Sequence, residues 1–193
     1  RTTQYGKENL PQEGGYVMFS NHQGKYDALG IMHTHEKPCS VVMDDARSHG
    51  PLVSQFIDLV KGKRLKLHDL RQAAGIIKEV AQEVKQGRKF IIFPSGGYEH
   101  RNGNHVDAFK PGAFKSALRA KAPIVPVAIV DSWKVFDLWS LRPVQTQVYY
   151  LQPIYYEEYR DMKSVEVCDL VYHRICRAIK RAELGHPEQA RLC

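Results

Sequence analysis

The sequence contains no run of about 18 consecutive apolar residues, so no segment of it reads as a bilayer-spanning helix. Its first residues, Arg1-Thr2-Thr3-Gln4-Tyr5, carry no apolar core and do not form a signal peptide. The chain does not begin with Met, and the expectation is a piece processed or excised from a longer protein, with an N-terminal membrane anchor absent from it. Cysteine is sparse. Cys39, Cys168, Cys176 and Cys193 include no C-x-x-C pair, which removes zinc-ribbon and thioredoxin-like readings and leaves free thiols in a reducing cytosol as the expectation. Internal repeats, low-complexity tracts and Pro/Gly linkers are also lacking, so residues 1–193 parse as one domain, long enough to bury a proper core.

Positive charge is in excess. Lys and Arg number 28 against 21 Asp and Glu, a net charge of +7. Such a surface suits an anionic membrane face, phosphorylated substrates or nucleic acid. The last helix carries Arg174, Arg177, Lys180 and Arg181, a basic face that an anionic bilayer would attract.

Short apolar runs alternate with helical periods. Residues 15–20 (GYVMFS), 39–43, 89–93 (KFIIF), 124–130 (IVPVAIV) and 145–151 read as strands. Helices are expected from Tyr26 to about His35, over 51–60 with Leu52, Phe56 and Leu59 on one face, and over 70–86 with Asp69 as N-cap. Two more are expected from Pro111 to about Ala120 and over 164–183 with Val167, Leu170, Val171, Ile175 and Ile179 inward. Pro126 inside an apolar strand predicts a bulge or a close approach. The alternation gives an α/β layered fold: a mixed, largely parallel sheet flanked by helices.

Ligands of such sheets gather at the carboxyl ends of strands, and two of those ends are unusually polar. At the first, Ser20-Asn21-His22 leads to Asp27. Five residues on one continuous helix would set the two side chains about 140° apart. With His22 in the loop and Asp27 in the first helical turn, the carboxylate can instead reach Nδ1–H and leave Nε2 free to take a proton from an attacking alcohol. At the second, Ser95-Gly96-Gly97 can turn backbone N–H groups and a hydroxyl toward an anion, with Lys110 and Arg101 as nearby cations. The Gly-Lys-Ser/Thr ending of a nucleotide P-loop is missing. His33 and His35, two apart on a helix, splay and read as solvated, and His100, His105 and Asp107 read as surface, so no metal site is expected. Tyr149, Tyr150, Tyr155, Tyr156, Trp133 and Trp139 read as core and edge packing.

Taken in order, these blocks resemble the family of 1-acyl-sn-glycerol-3-phosphate acyltransferases and their lysophospholipid relatives. Asn21-His22 through Asp27 looks like the family's N-H-x4-D motif, and Phe93-Pro94-Ser95-Gly96-Gly97 like its F-P-E-G-T block. Phe109 to Phe114 and Ala122 to Ile129 look like its F-K-x-G-A-F and V-P segments. The match covers roughly residues 10 to 132. It implies a glycerolipid acyltransferase-like fold in which His22 is the general base and Asp27 orients it. It implies that Ser95, Gly96 and Gly97 hold the glycerol-phosphate end of the acceptor, and that the strand around Pro126 shapes a substrate pocket. Asn21 and Lys110 join the expected substrate contacts. Acyl-CoA or acyl-carrier protein would serve as co-substrate, with no other cofactor and no metal. A lysophospholipid acceptor and an anionic membrane surface are the expected partners, at the cytoplasmic face, and nucleic acid is not expected.

Two positions depart from the pattern. The family's glutamate is Ser95 here, with Glu99 nearby. The family's arginine block has no clean counterpart, and among Arg64, Lys66 and Arg71 we favour Arg64, whose guanidinium can grip phosphate through two hydrogen bonds. These departures keep open another acceptor, glycerol-3-phosphate or a lyso-aminolipid. A non-catalytic basic module that binds membrane or nucleic acid is the alternative outside enzymes.

Overall fold

A computed structural model describes residues 1–99, 103–136 and 143–193. The elements run β1 (Thr2–Tyr5), β2 (Tyr16–Ser20), α1 (Asp27–His35), β3 (Ser40–Asp44), α2 (Val53–Leu59), β4 (Lys63–Leu65) and α3 (Leu70–Lys85). They continue with β5 (Lys89–Ile92), α4 (Lys115–Ala120), β6 (Ile124–Val130), β7 (Thr146–Tyr150), α5 (Tyr156–Tyr159), α6 (Ser164–Glu183) and α7 (Pro187–Ala190). The strands form one sheet in the order β1-β7-β6-β2-β5-β3-β4. β6, β2, β5, β3 and β4 run parallel, β7 is antiparallel to β6, and β1 is parallel to β7. The expected mixed, largely parallel sheet is present.

β2 is the central strand, and all five of its residues are buried. Its side chains alternate between two apolar layers, as the two-residue period of a strand requires. Val17 and Phe19 pack with Val84 of α3, Ala117 of α4 and Ile175 of α6. Tyr16 and Met18 pack with Ile31 of α1 and Ile57 of α2. Burying a side chain of this size is worth about 1.5–3 kcal/mol, so the strand that leads into His22 is among the most firmly held segments.

The expected strand and helix boundaries agree with the structure to within about two residues, apart from the segment opening at Pro111, which begins as a 3-10 turn (Pro111–Phe114) before α4. Asp69 caps α3 by accepting from Gln72 N at 2.9 Å. The bulge expected near Pro126 is present: two residues separate Ile124 from Val127, but three separate their partners Tyr150 and Ile154. Leu151 N donates to the Pro126 carbonyl inside it, at 3.0 Å.

The structure adds two strands and the direction of one helix face to the sequence reading, and corrects one histidine. β1 and β4 went unread, because TTQY and KRL are short, mostly polar edge strands with no apolar run. The face of α2 that carries Leu52 and Leu59 does not point inward; these residues are 81% and 82% exposed, and Ile57 is the helix's buried anchor. His35 is not solvated but buried, between the Tyr16 hydroxyl at Nε2 (2.7 Å) and the Lys37 carbonyl at Nδ1 (2.7 Å). The packing role read for Tyr149 and Tyr150 holds, since both are fully buried, whereas Tyr155 is exposed. His100, Arg101 and Trp139 lie outside the described residues. Among the described residues no helix is long and apolar enough to cross a membrane.

Candidate active site at the carboxyl ends of five parallel strands

Because five strands run parallel, their carboxyl ends lie along one edge of the sheet, and each contributes to the same neighbourhood. β2 leads into Asn21 and His22. The Asn21 amide extends the ladder toward β6: Nδ2 donates to the Ile129 carbonyl (2.9 Å) and Oδ1 accepts from Ile129 N (2.8 Å). Both ends of this buried amide are therefore spent on backbone. Asn21 anchors the loop and positions the next residue.

The chain then turns back on itself, and α1 begins at Asp27. Asp27 Oδ2 accepts from His22 Nδ1 (2.7 Å), Gln23 N (2.5 Å) and Gly24 N (2.9 Å). Oδ1 accepts from the Ser132 hydroxyl, just beyond β6. The Asp27 side chain has no exposure, whereas His22 retains 18%. With every polar neighbour of the carboxylate a donor, the imidazole proton belongs on Nδ1, and the lone pair on Nε2 is left to accept another. The ring is fixed from the β5 side as well. It stacks on Phe93 with centroids 4.2 Å apart and meets Tyr98 edge-on at 4.5 Å. The two polar strand ends recognised in the sequence thus touch.

The turn after β5 is built around Gly96, whose φ of 77° places it in the left-handed region that favours glycine. Ser95 Oγ donates to the Gly97 carbonyl at 2.7 Å, so the hydroxyl closes the turn. Lys110 N donates to the Pro94 carbonyl at 2.9 Å. Its ammonium reaches the open side of Gly96: a Cβ there would lie 2.9 Å from Lys110 Nζ and 3.0 Å from Leu67 Cδ2, which follows β4. From the end of β3, Arg47 places its guanidinium 5.5 Å above the Tyr98 ring. Burial pushes the Tyr98 phenol above its ordinary pKa; the Arg47 guanidinium opposes this and the Asp27 carboxylate adds to it.

Of the residues expected to contact substrate, the structure brings Ser95, Gly96, Gly97 and Lys110 together beside His22. Arg64 is engaged elsewhere. Its guanidinium bonds Ser48 Oγ (3.1 Å) and Ser54 (3.2 Å to Oγ) and pairs with Asp58 (2.8 Å), tying β4 to α2 and to the turn after β3. Pro126 is buried in mid-strand opposite Phe19, where it shapes the sheet. Glu99 is exposed. Among the described residues no group of three or more His, Cys, Asp or Glu side chains is arranged to hold a metal.

Sequence reasoning overlooked Ser132, Gln23, Asn104, Tyr98 and Arg47. Gln23 Oε1 accepts from Ser132 N (3.0 Å) and its Nε2 donates to Asn104 Oδ1 (3.0 Å), which also accepts from Asp131 N (2.8 Å). This network locks the β2 and β6 ends together. A signal was present: Asp131-Ser132-Trp133 is a third polar end to an apolar strand. The neighbouring Trp133 indole N–H is buried without a hydrogen-bond partner among the described residues.

Comparison with known proteins places this geometry in context. A family model described as Acyltransferase matches residues 1–130. The chain is 31% identical over 131 residues to the putative 1-acyl-sn-glycerol-3-phosphate acyltransferase acl-2 of Caenorhabditis elegans, covering 67% of this chain and 46% of that protein. It is 30% identical over 192 residues to the 1-acyl-sn-glycerol-3-phosphate acyltransferase alpha of Mus musculus, covering 93% and 65%. The chain spans about half the length of the first of the curated relatives it matches. The crystal structure of the 1-acyl-sn-glycerophosphate (LPA) acyltransferase PlsC from Thermotoga maritima superposes with a TM-score of 0.76 at 20% identity, covering 94% of this chain and 72% of that one, and so shares the fold.

Proposed function

The chain belongs to the acyltransferase family, and we propose that it moves a fatty acyl group from a thioester, acyl-CoA or acyl-carrier protein, onto the free hydroxyl of lysophosphatidic acid. The observation that carries this reading is the His22–Asp27 pair at a parallel-sheet edge, its imidazole stacked on Phe93 and its Nε2 unclaimed by Asp27. His22 Nε2 takes the proton of the acceptor hydroxyl as the oxygen attacks the thioester carbonyl. The tetrahedral intermediate collapses, the C–S bond breaks, and the departing thiolate receives the proton from the imidazolium. Asp27 holds the ring in place and offsets the transient positive charge. Beside the base, the Gly96 turn and the Lys110 ammonium receive the phosphate end of the acceptor. We read residues 1–193 as one acyltransferase domain working at the cytoplasmic face of a membrane with no further cofactor.

Acyl transfer is tested by incubating the parent and His22→Ala with a labelled thioester and lysophosphatidic acid. Loss of the base should lower turnover by two to four orders of magnitude. Equal turnover in both refutes the mechanism. The same thioester offered with glycerol-3-phosphate and a lyso-aminolipid decides the acceptor.

A further inference from the structure

The outer stripe of α2 faces solvent although it is the most apolar strip of that helix. Leu52, at its N-cap, and Leu59, in its last turn, are 81% and 82% exposed. Seven residues are close to two full turns, so the two leucines lie on one line about 10 Å long, with half-buried Phe56 between them. A helix of seven residues is marginal on its own and here buries Ile57 alone completely, so nothing in the fold requires leucine at the other two positions. On the neighbouring helix α1, Leu29 is also 40% exposed.

Next to Leu59 the surface is cationic. A groove of about 660 Å³ at the amino ends of β3 and β5 is lined by Lys37, Lys61, Arg88 and Lys89 together with apolar Met32 and Val60. Arg88 is paired with Glu83 (3.2 Å), Lys37 donates to the Gln12 carbonyl (2.8 Å) and Lys89 to the Gly87 carbonyl (3.1 Å), while Lys61, next to the helix, is exposed. The one acid of α2, Asp58, is neutralised by Arg64 at 2.8 Å. Exposed leucines bordered by lysine and arginine match the layering of an anionic bilayer surface, where acyl chains lie beneath phosphate headgroups. The basic face of α6, the docking surface expected from the sequence, lacks a pair of exposed leucines two turns apart. Its exposed apolar residues, Val165 and Leu184, stand at opposite ends of the helix, and between them Arg174 donates to the Gln152 carbonyl (3.3 Å) and Arg181 to the Gln189 carbonyl (2.9 Å).

We propose that α2 is the membrane-docking element: Leu52, Phe56 and Leu59 enter the headgroup boundary of an anionic bilayer while Lys61 and the adjoining groove engage lipid phosphates. α2 connects the carboxyl end of β3 to the amino end of β4, so its Leu52 end lies at the same edge of the sheet as His22. A bilayer against α2 therefore extends from the groove, at the amino edge of the sheet, to the Leu52 end at the edge that carries His22, and lipid acceptors reach the site from that end. This inference rests on the acyltransferase reading for its lipid substrate, while its test does not depend on turnover.

The experiment measures partitioning onto vesicles with about one anionic lipid in four, compared with neutral vesicles. The double variant Leu52→Gln/Leu59→Gln should bind at least tenfold more weakly. Lys61→Gln should weaken binding about fivefold on anionic vesicles and leave neutral ones unchanged. Arg177→Gln/Lys180→Gln on α6 should change partitioning less than twofold. All these residues are exposed or flank the fold's edge, and thermal midpoints matching the parent confirm folding. Turnover of a short-chain, water-soluble acceptor should stay at the parent level in the α2 variants. Parent-like partitioning of the leucine double variant overturns the proposal, as does loss of binding in the α6 variant or a parent that ignores vesicles. A parent dimer that the leucine substitutions dissociate also overturns it, in favour of a second copy on α2. Absence of acyl transfer in the parent would fail the functional reading and leave the vesicle result to decide the surface.

Discussion

Replacing Asp27 with Asn isolates the electrostatic part of the proposed mechanism. The carboxylate Oδ2 receives three donors and Oδ1 one, the Ser132 hydroxyl. The asparagine oxygen is forced into the Oδ2 position, because an NH2 there would confront two backbone N–H groups and His22 Nδ1–H. The amide NH2 then faces Ser132, whose hydroxyl can rotate to accept. Ring orientation and tautomer survive, and the negative charge beside the imidazolium does not. A unit charge pair about 4 Å apart at an effective dielectric of about 20 is worth about 4 kcal/mol, which corresponds to about three orders of magnitude in rate if the imidazolium is fully formed in the transition state and less if it is partial. Asp27 has no exposure and touches no substrate, so KM for the acceptor should change little. Steady-state turnover at saturating thioester, with thermal unfolding as the control for folding, measures the effect. A variant with kcat within threefold of the parent would refute the role given to Asp27.

Three further substitutions probe the frame around that pair. Ser132→Ala removes one hydroxyl donor from a buried carboxylate and should cost about 1.5–3 kcal/mol of stability in denaturant titration, with a smaller loss of kcat than Asp27→Asn. Gly96→Ala adds a methyl at a φ of 77° against the ends of Lys110 and Leu67, and should raise the acceptor KM while costing about 1–2 kcal/mol of stability. His35, whose pKa burial holds below the ordinary histidine value of 6.5, titrates in the unfolded chain first, so its contribution is fully present above about pH 6.5 and is lost as the pH falls toward the folded value. Parent stability should therefore drop below pH 6.5 by up to about 1.4 kcal/mol per pH unit, and His35→Gln should flatten that slope in unfolding experiments across pH.

The parts of this fold legible in the sequence are those whose physics is local. A strand buried on both faces needs an unbroken apolar run, and β2, β5 and β6 have one. A helix packed along one stripe shows its period, and α3 and α6 were readable for that reason. β1 and β4 are edges, held by neighbours distant in sequence, and their residues carry no pattern of their own. At α2 the sequence left the direction open: periodicity reports that apolar residues share a face and is silent on whether protein or something else covers it. His35 was misread because an exposed and a core histidine look identical until the Tyr16 hydroxyl arrives from 19 residues away.

The site divides along the same line. The five-residue spacing of His22 and Asp27 was informative because both partners lie within one loop, whose backbone N–H groups at Gln23 and Gly24 hold the carboxylate in place. Ser132 and Tyr98 were invisible because their roles depend on strand order. β5 and β6 flank β2, and that arrangement delivers Phe93 and Tyr98 to one side of the imidazole and Ser132 to the far oxygen of its carboxylate. Arg64 and Arg47 make the point for the cations. Arg64 lies in β4 and Arg47 in the turn after β3, and nothing in composition separates them, yet Ser48, Ser54 and Asp58 occupy the first while the second stands over Tyr98, one ring from the base. A parallel sheet gathers its chemistry at one edge, and which residues of that edge are free to use it is decided by side-chain partners that the order of strands supplies.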